Sequence, residues 1–189
     1  GTFWSAGAAW NLHRESFLVN SNVVNLLKLR GSYGEVGNDG GISEAPGYQT
    51  DLNLYDLGMN NGMNGGIYLS QMGNPDLTWE KIRSANLGVD LSLWNRIDVS
   101  LDVYNKRSSD LLYRKPLAAT TGYSYVWMNA GAVRNKGFEF GLTSKNLVGE
   151  LKWETNFNFA LNRNKVVELS DGAQVFNTGA RQPIAVGYD

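Results

Sequence analysis

The sequence predicts an all-β fold, a segment of an antiparallel transmembrane β-barrel that contributes about six strands. The first observation behind this is the hairpin Ser84 to Val103. Ala85, Leu87, Val89, Leu91 and Leu93 are apolar, while Ser84, Asn86, Gly88, Asp90 and Ser92 are small or polar. After Trp94-Asn95-Arg96 the alternation resumes through Ile97, Val99, Leu101 and Val103. Successive strand side chains point to opposite faces, so the hairpin has one apolar and one polar face. The second observation is length: Lys81 to Leu93 runs for roughly twice the usual soluble strand of about five or six residues. A strand crossing a membrane at a tilt needs roughly nine to eleven. The third is rhythm, since short and long connections alternate and the long ones share one end, as in membrane barrels.

Taken in order, Trp4, Ala6, Ala8 and Trp10 alternate with Ser5, Gly7 and Ala9 in a weak first strand with aromatic ends. Asn11 to Asn25 is a connection, with one short helix expected near Arg14 to Leu18. Leu27, Leu29, Gly31 and Tyr33 then oppose Lys28, Arg30 and Ser32, a second strand whose charged side is not a lipid face. From Glu35 to about Trp79 the pattern dissolves into Gly, Asn and Asp, as in Asn38-Asp39-Gly40-Gly41 and Asn60 to Gly66; a structureless connection this long is either a functional loop or the sign of a wrong assignment. The hairpin supplies strands three and four. Asn105 to Gly131 is a second irregular stretch with Tyr123, Tyr125 and Trp127 near its end. Phe138, Phe140 and Leu142 against Glu139, Gly141 and Thr143 form the fifth strand, and Ser144 to Glu150 is a short connection. The sixth sets Leu151, Trp153, Thr155, Phe157, Phe159 and Leu161 against Lys152, Glu154, Asn156, Asn158 and Asn162, and beyond Asn164 the chain leaves the sheet.

Charges test this division. A Lys or Arg facing lipid at mid-bilayer costs roughly 2–4 kcal/mol, and Lys28, Arg30, Asp90, Asp98, Asp102, Glu139, Lys152 and Glu154 all fall on the polar parity. A soluble sheet with one wet face sorts its charges in the same way, so a soluble β-rich module, such as one that binds carbohydrate, stays open. The net charge of −1 gives no electrostatic reason to expect nucleic acid or an anionic surface as a partner. Zero cysteines exclude disulfide frameworks and Cys-based zinc sites. No apolar run of about eighteen residues exists, which excludes a transmembrane helix but not a barrel. The 189 residues open directly in a strand pattern and stop in irregular sequence at Pro183 to Asp189, so they read as a segment without a signal peptide at its start.

From Asn74-Pro75-Asp76-Leu77-Thr78-Trp79-Glu80 onward the sequence resembles the "NPxLxWE" strand entry of SusC/RagA-type TonB-dependent outer-membrane transporters. The likeness continues in order through Leu87-Gly88-Val89-Asp90, Asp102 to Lys106, Ser109 to Leu112, Pro116-Leu117, Thr120 to Tyr123, Asn129 to Glu139, and Trp153 to Val166. Upstream, Leu27 to Gly34 and Gly37-Asn38 are similar to the family's "LKLRxSYGxxGN". Each phrase is weak alone, and their common order is specific. The resemblance implies that residues 1–189 belong to the later strands of a 22-stranded TonB-dependent receptor barrel in the cell outer membrane, with plug domain and signal peptide outside this segment. It further implies a transporter, not an enzyme, without a cofactor. Such a protein imports oligosaccharides or peptides with energy from TonB, partnered by a SusD-like surface lipoprotein as lid and by outer-membrane lipid. A passive porin-type barrel, which lacks a plug, is the alternative that the ordered phrases oppose.

Several residues carry a functional reading beside a plainer one. Tyr123, Tyr125 and Trp127 are expected to contact ligand or the lid protein, against the alternative that they pack their own loop on the barrel mouth. Asp90, Asp98 and Asp102 suggest an acid/base set, yet three carboxylates on one wet face are also what a water-filled interior has. Asp51, Asn53 and Asp56 offer hard oxygens for calcium but lack the spacing of an EF-hand loop, so turn chemistry is the better account. His13 is the single histidine and makes no metal site without a second His or Cys. Trp10, Trp94 and Trp153 sit near short-turn ends and suit an interfacial girdle, or ordinary anchoring at a sheet margin.

Overall fold

A computed structural model describes residues 2–39, 49–60, 64–169, 175–176 and 184–187. Its main element is one antiparallel sheet of six long strands, β1 (Ser5–Asn11), β2 (Val24–Asn38), β5 (Glu80–Leu93), β6 (Ile97–Ser109), β9 (Gly131–Val148) and β10 (Lys152–Leu169), adjacent in that order. The two long connections are not irregular, as the Gly/Asn-rich composition suggests. They hold β3 (Leu54–Asn60), β4 (Asn64–Met72), β7 (Leu112–Pro116) and β8 (Tyr125–Asn129), which form a second sheet in the order β3-β4-β8-β7. A two-residue pair, β11 (Val175–Phe176) with β12 (Ile184–Ala185), completes the list. The helix expected near Arg14 to Leu18 is instead a 3-10 turn at Leu12–Arg14 followed by one helical turn in which Val19 N donates to Glu15 O at 2.8 Å. The sixth strand continues past Asn164 to Leu169.

The central hairpin forms as its alternation dictates. Leu93 pairs with Ile97, and Arg96 N donates to Leu93 O at 2.9 Å across Trp94 and Asn95. Both turn residues have positive φ, 50° and 54°, the left-handed backbone that matches the twist of the flanking strands. Asparagine tolerates it, and Asn25 Oδ1 further accepts from Asn95 N at 2.6 Å.

Register lines up the apolar parity into continuous rows. Trp10, Leu29, Val89, Leu101, Phe140 and Phe159 run across all six strands, with Leu27-Leu91-Val99-Leu142-Phe157 on one side and Gly31-Leu87-Val103-Phe138-Leu161 on the other. Phe140–Phe157 and Phe138–Phe159 are in tilted ring contact at 6.1 and 6.4 Å. This face is uncovered: Leu87 is 58 % and Phe157 51 % exposed, and among the described residues only Ala132 and Leu169 are buried apolar side chains. A soluble domain of this length buries most of such surface. The sheet has the apolar material of a core without the second layer that would make one.

The hairpins end in a staircase that fixes the tilt. Asn11–Lys28, the last pair of β1/β2, lies in the row of Asp90 and Ser100, three residues short of the Leu93–Ile97 pair that closes β5/β6. That pair's row reaches Ser144 and Thr155, again three residues short of Lys152 at the end of β9/β10. Three residues are ~10 Å along a strand and two strand spacings ~9.6 Å across, so the turns reach one level at a tilt of about 45°. Membrane barrels tilt their strands by about 35–45°. On the apolar face a charge first appears ten residues beyond the turn: Leu93 to Arg83 on β5, Ile97 to Arg107 on β6, Trp153 to Arg163 on β10. That is ~33 Å of strand, or ~23 Å of height after tilting, beside a barrel's apolar band of about 25 Å.

Above that level the alternation inverts. Val36, Ile82, Ser108, Val133 and Val166 form a row on what was the polar face, while Glu35, Arg83, Arg107, Arg134 and Lys165 take the other. The strands continue as a wall whose wet and dry sides have exchanged.

Candidate functional site: the loop sheet above the band

The polar face of the band is organised by Arg30. Its guanidinium donates from Nε to Asp90 Oδ2 at 3.2 Å and from Nη2 to Asp102 Oδ2 at 2.6 Å, bridging three strands. It crosses over Gly88, where an added Cβ would lie 2.6 Å from Arg30 Cζ and 2.7 Å from Asp102 Oδ1. Tyr104 similarly lies over Gly137, its ring occupying the place where a Cβ would stand, so an aromatic ring covers the backbone that glycine leaves bare. Two of the three carboxylates suggested as an acid/base set are thus ion-paired to a cation that joins strands.

The long connections are pinned above this wall by four side chains, three of them within the phrases that carried the resemblance. Asn129 Oδ1 accepts from Thr78 N at 3.0 Å, and its Nδ2 donates to Thr78 O at 2.8 Å and Asp110 O at 2.7 Å. Asn74 donates to Trp127 O at 2.8 Å and accepts from Asp76 N at 3.1 Å in an Asx turn. Glu80 accepts from Leu112 N at 2.9 Å through Oε1 and from Asn38 Nδ2 at 2.6 Å through Oε2. Gln71, fully buried, donates to Gln49 O at 3.0 Å and Leu52 O at 3.3 Å. These four residues were not singled out by sequence reasoning, although Asn74, Glu80 and Asn129 were in view as motif letters.

Tyr125 and Trp127 share one face of β8, and Tyr123 precedes it after the left-handed Gly122. All three are half-buried. Arg114 on β7 stands 3.6 Å from the Tyr125 ring centroid, a cation–π contact within the sheet. Tyr125 opposes Pro116 on β7 and Gln71 on β4, and Trp127 opposes Arg114. The aromatic–guanidinium face is built by strand pairing, not by a mobile loop tip, and it can stack on a sugar ring or a peptide group. A second apolar feature went unread in the sequence. Leu57 pairs with Ile67 and Tyr55 with Leu69 on the β3–β4 hairpin, leaving Leu57 84 % and Ile67 72 % exposed. Its signal was the alternation Leu54-Tyr55-Asp56-Leu57 and Ile67-Tyr68-Leu69, hidden between Gly/Asn tracts.

Of the remaining candidates, Asn53 Oδ1 accepts from Gly73 N at 2.9 Å, a turn role. Among the described residues no cluster of acidic and histidine side chains is placed to hold a metal; residues 40–48 and 61–63 of the Gly/Asn-rich stretch lie outside them. His13 Nδ1 is 3.3 Å from Leu27 O. Trp10 and Trp153 stand on the apolar parity within one residue of their strand ends, and Trp94 is in its turn, about half exposed in each case.

A family model described as TonB dependent receptor-like, beta-barrel, matches residues 1–185. TonB-dependent receptor P39 of Formosa agariphila is 39 % identical over 181 residues, 95 % of this chain and 17 % of that protein. TonB-dependent receptor SusC of Bacteroides thetaiotaomicron is 30 % identical over 181 residues, 91 % of this chain and 18 % of that protein. A solved structure of the RagAB peptide transporter superposes with a TM-score of 0.83 at 26 % identity, covering 98 % of this chain and 20 % of the other. The chain therefore spans about a fifth of the length of the proteins it matches.

Proposed function

The chain belongs to the TonB-dependent receptor β-barrel family, and from that premise we propose that it forms part of the wall and mouth of an active importer of oligosaccharides or peptides. The apolar band faces the lipid of the outer membrane, the Arg30 face lines the lumen, and the loop sheet stands on the extracellular side. Energy reaches the barrel through TonB by way of a plug that belongs to another part of the protein. A SusD-like surface lipoprotein closes the mouth from above. Its contact is the apolar face of the β3–β4 hairpin, where Tyr55, Leu57 and Ile67 are 62 %, 84 % and 72 % exposed, more than a solvated hairpin needs.

The observation that carries the reading is the loop sheet itself: two long connections, paired through β4 and β8, place Tyr125 and Trp127 beside Arg114 on a rigid support. Binding residues concentrate on segments held in this way. The test replaces Tyr123, Tyr125 and Trp127 with Ala in the whole receptor. Nutrient uptake falls about tenfold or more, on the scale of about 0.5–1.5 kcal/mol for each of the three lost stacking contacts, while insertion is unchanged because the band is untouched. Uptake at the wild-type level would assign these aromatics to packing alone.

A further inference from the structure

Directly above the apolar band, on the same outward parity, four cations meet. Lys136 is paired in register with Arg163, and Arg134 with Lys165, on β9 and β10. Like charges placed directly opposite on one face of a sheet are destabilising, and here two such pairs stand one above the other. Neighbouring cations at this level have local partners: Arg83 binds Glu35, and Arg107 binds Glu168 at 3.0 Å. The four on β9 and β10 have no carboxylate partner among the described residues, and Arg134 Nε is buried without a hydrogen-bond acceptor. With Val167 and Gly187 they line a cleft of about 590 Å³. Gly187 N donates to Val166 O at 2.9 Å, which brings that turn against β10 beside the cations.

We propose that this cleft binds a lipid headgroup of the outer leaflet that carries anionic phosphomonoesters. The charge is complementary, and the orphaned Nε calls for an acceptor. The occupant is a lipid rather than a free anion because the floor of the cleft is continuous with the band: Phe138 and Leu161 lie one side-chain step below Lys136 and Arg163 on the same parity. A headgroup held by the cations lays its acyl chains on Phe138, Leu161, Phe140 and Phe159. The inference rests on the reading that the apolar band faces lipid.

The experiment uses the whole receptor in phosphatidylcholine nanodiscs doped with a bis-phosphorylated glycolipid (lipid A) or its dephosphorylated form, with bound glycolipid counted by native mass spectrometry. The phosphorylated form is retained preferentially. Replacing Lys136→Gln with Arg163→Gln weakens it about 30-fold, the equivalent of about 2 kcal/mol for two cations near an anionic surface. Lys106→Gln, on the opposite face, leaves it unchanged. The pair Lys136→Arg with Arg163→Lys keeps the charge and retains binding, which separates lost recognition from lost folding. Equal retention by the Gln variant, equal retention of the dephosphorylated lipid, or displacement by micromolar inorganic phosphate would each overturn the proposal. A label at Phe140 quenched by brominated acyl chains shows that the band itself lies in lipid, so a failed headgroup site is distinguishable from a failed membrane reading.

Discussion

An arginine scan along the outward face of β6 reads the height of the band directly. Ile97, Val99, Leu101, Val103 and Asn105 are successive outward positions, and Arg107 is the first charge. At about 45° of tilt each step of two residues climbs ~4.7 Å, so Leu101 stands ~9 Å above the turn level and near the middle of a ~23 Å band. Leu101→Arg therefore costs roughly 2–4 kcal/mol in the whole receptor, and Asn105→Arg roughly 0–1. Ser100→Arg, at the same height but on the lumen face beside Asp90, costs less than about 1 kcal/mol. The assay is the urea midpoint of refolding into lipid vesicles, with heat-modifiable migration as the measure of insertion. A curve that peaks at Leu101 to Val103 and falls at both ends is expected. A flat profile, or equal costs at Ser100 and Leu101, would refute the assignment of lipid and lumen faces.

Two further outcomes follow from the same geometry. Spin labels at Leu87, Leu91 and Leu101 should report lipid, and those at Asn86, Asp90 and Asp102 water; water at both sets would end the membrane reading. Asn129→Ala removes the side chain that ties Thr78 to Asp110, at a cost of roughly 1–3 kcal/mol where its partners are left unpaired. Faster amide hydrogen exchange confined to β7 and β8, with β5 and β6 protected as before, is the expected signature.

The long strands were legible because a period of two requires no knowledge of the neighbours: Leu87, Val89 and Leu91 state their face whatever lies beside them. Their ends were less legible. Beyond Ala85 and Val103 the outward parity becomes Arg83 and Asn105 while Ile82 and Val133 turn inward, and a pattern that inverts resembles one that stops. The second sheet was hidden for a different reason. β4 and β8 pair in parallel through only Gln71–Tyr125 and Met72–Val126, a long-range contact that no local window contains. Tyr123, Tyr125 and Trp127 were found by residue type, but Arg114 was not, since its relation to Tyr125 exists only once β7 pairs with β8. The hubs Asn74, Glu80 and Asn129 were visible as letters of a resemblance, and their hydrogen bonds supply the physical reason for those letters.

The inversion of parity near Ala85 and Asn105 explains how one continuous sheet serves two surroundings. Below it, a side chain that points outward must tolerate hydrocarbon, and one that points inward must tolerate water. Above it both sides are wet, so the outward face can take charge, and the inward face can become apolar where loops cover it. Ile82, Val133 and Val166, all half-buried, supply that inward row, just where the strands run up towards Glu80 and Asp110, whose contacts pin β7 and Asn129. A strand that ended at the membrane surface would leave the loops on flexible stalks. Carried several residues further, with its polarity exchanged, the same strand gives the loop sheet a stiff footing and sets its aromatic face at a fixed height above the mouth. The long strands, the inverted pattern and the loop sheet are therefore one arrangement, which, under the proposed function, presents a binding surface outside a membrane on a wall built inside it.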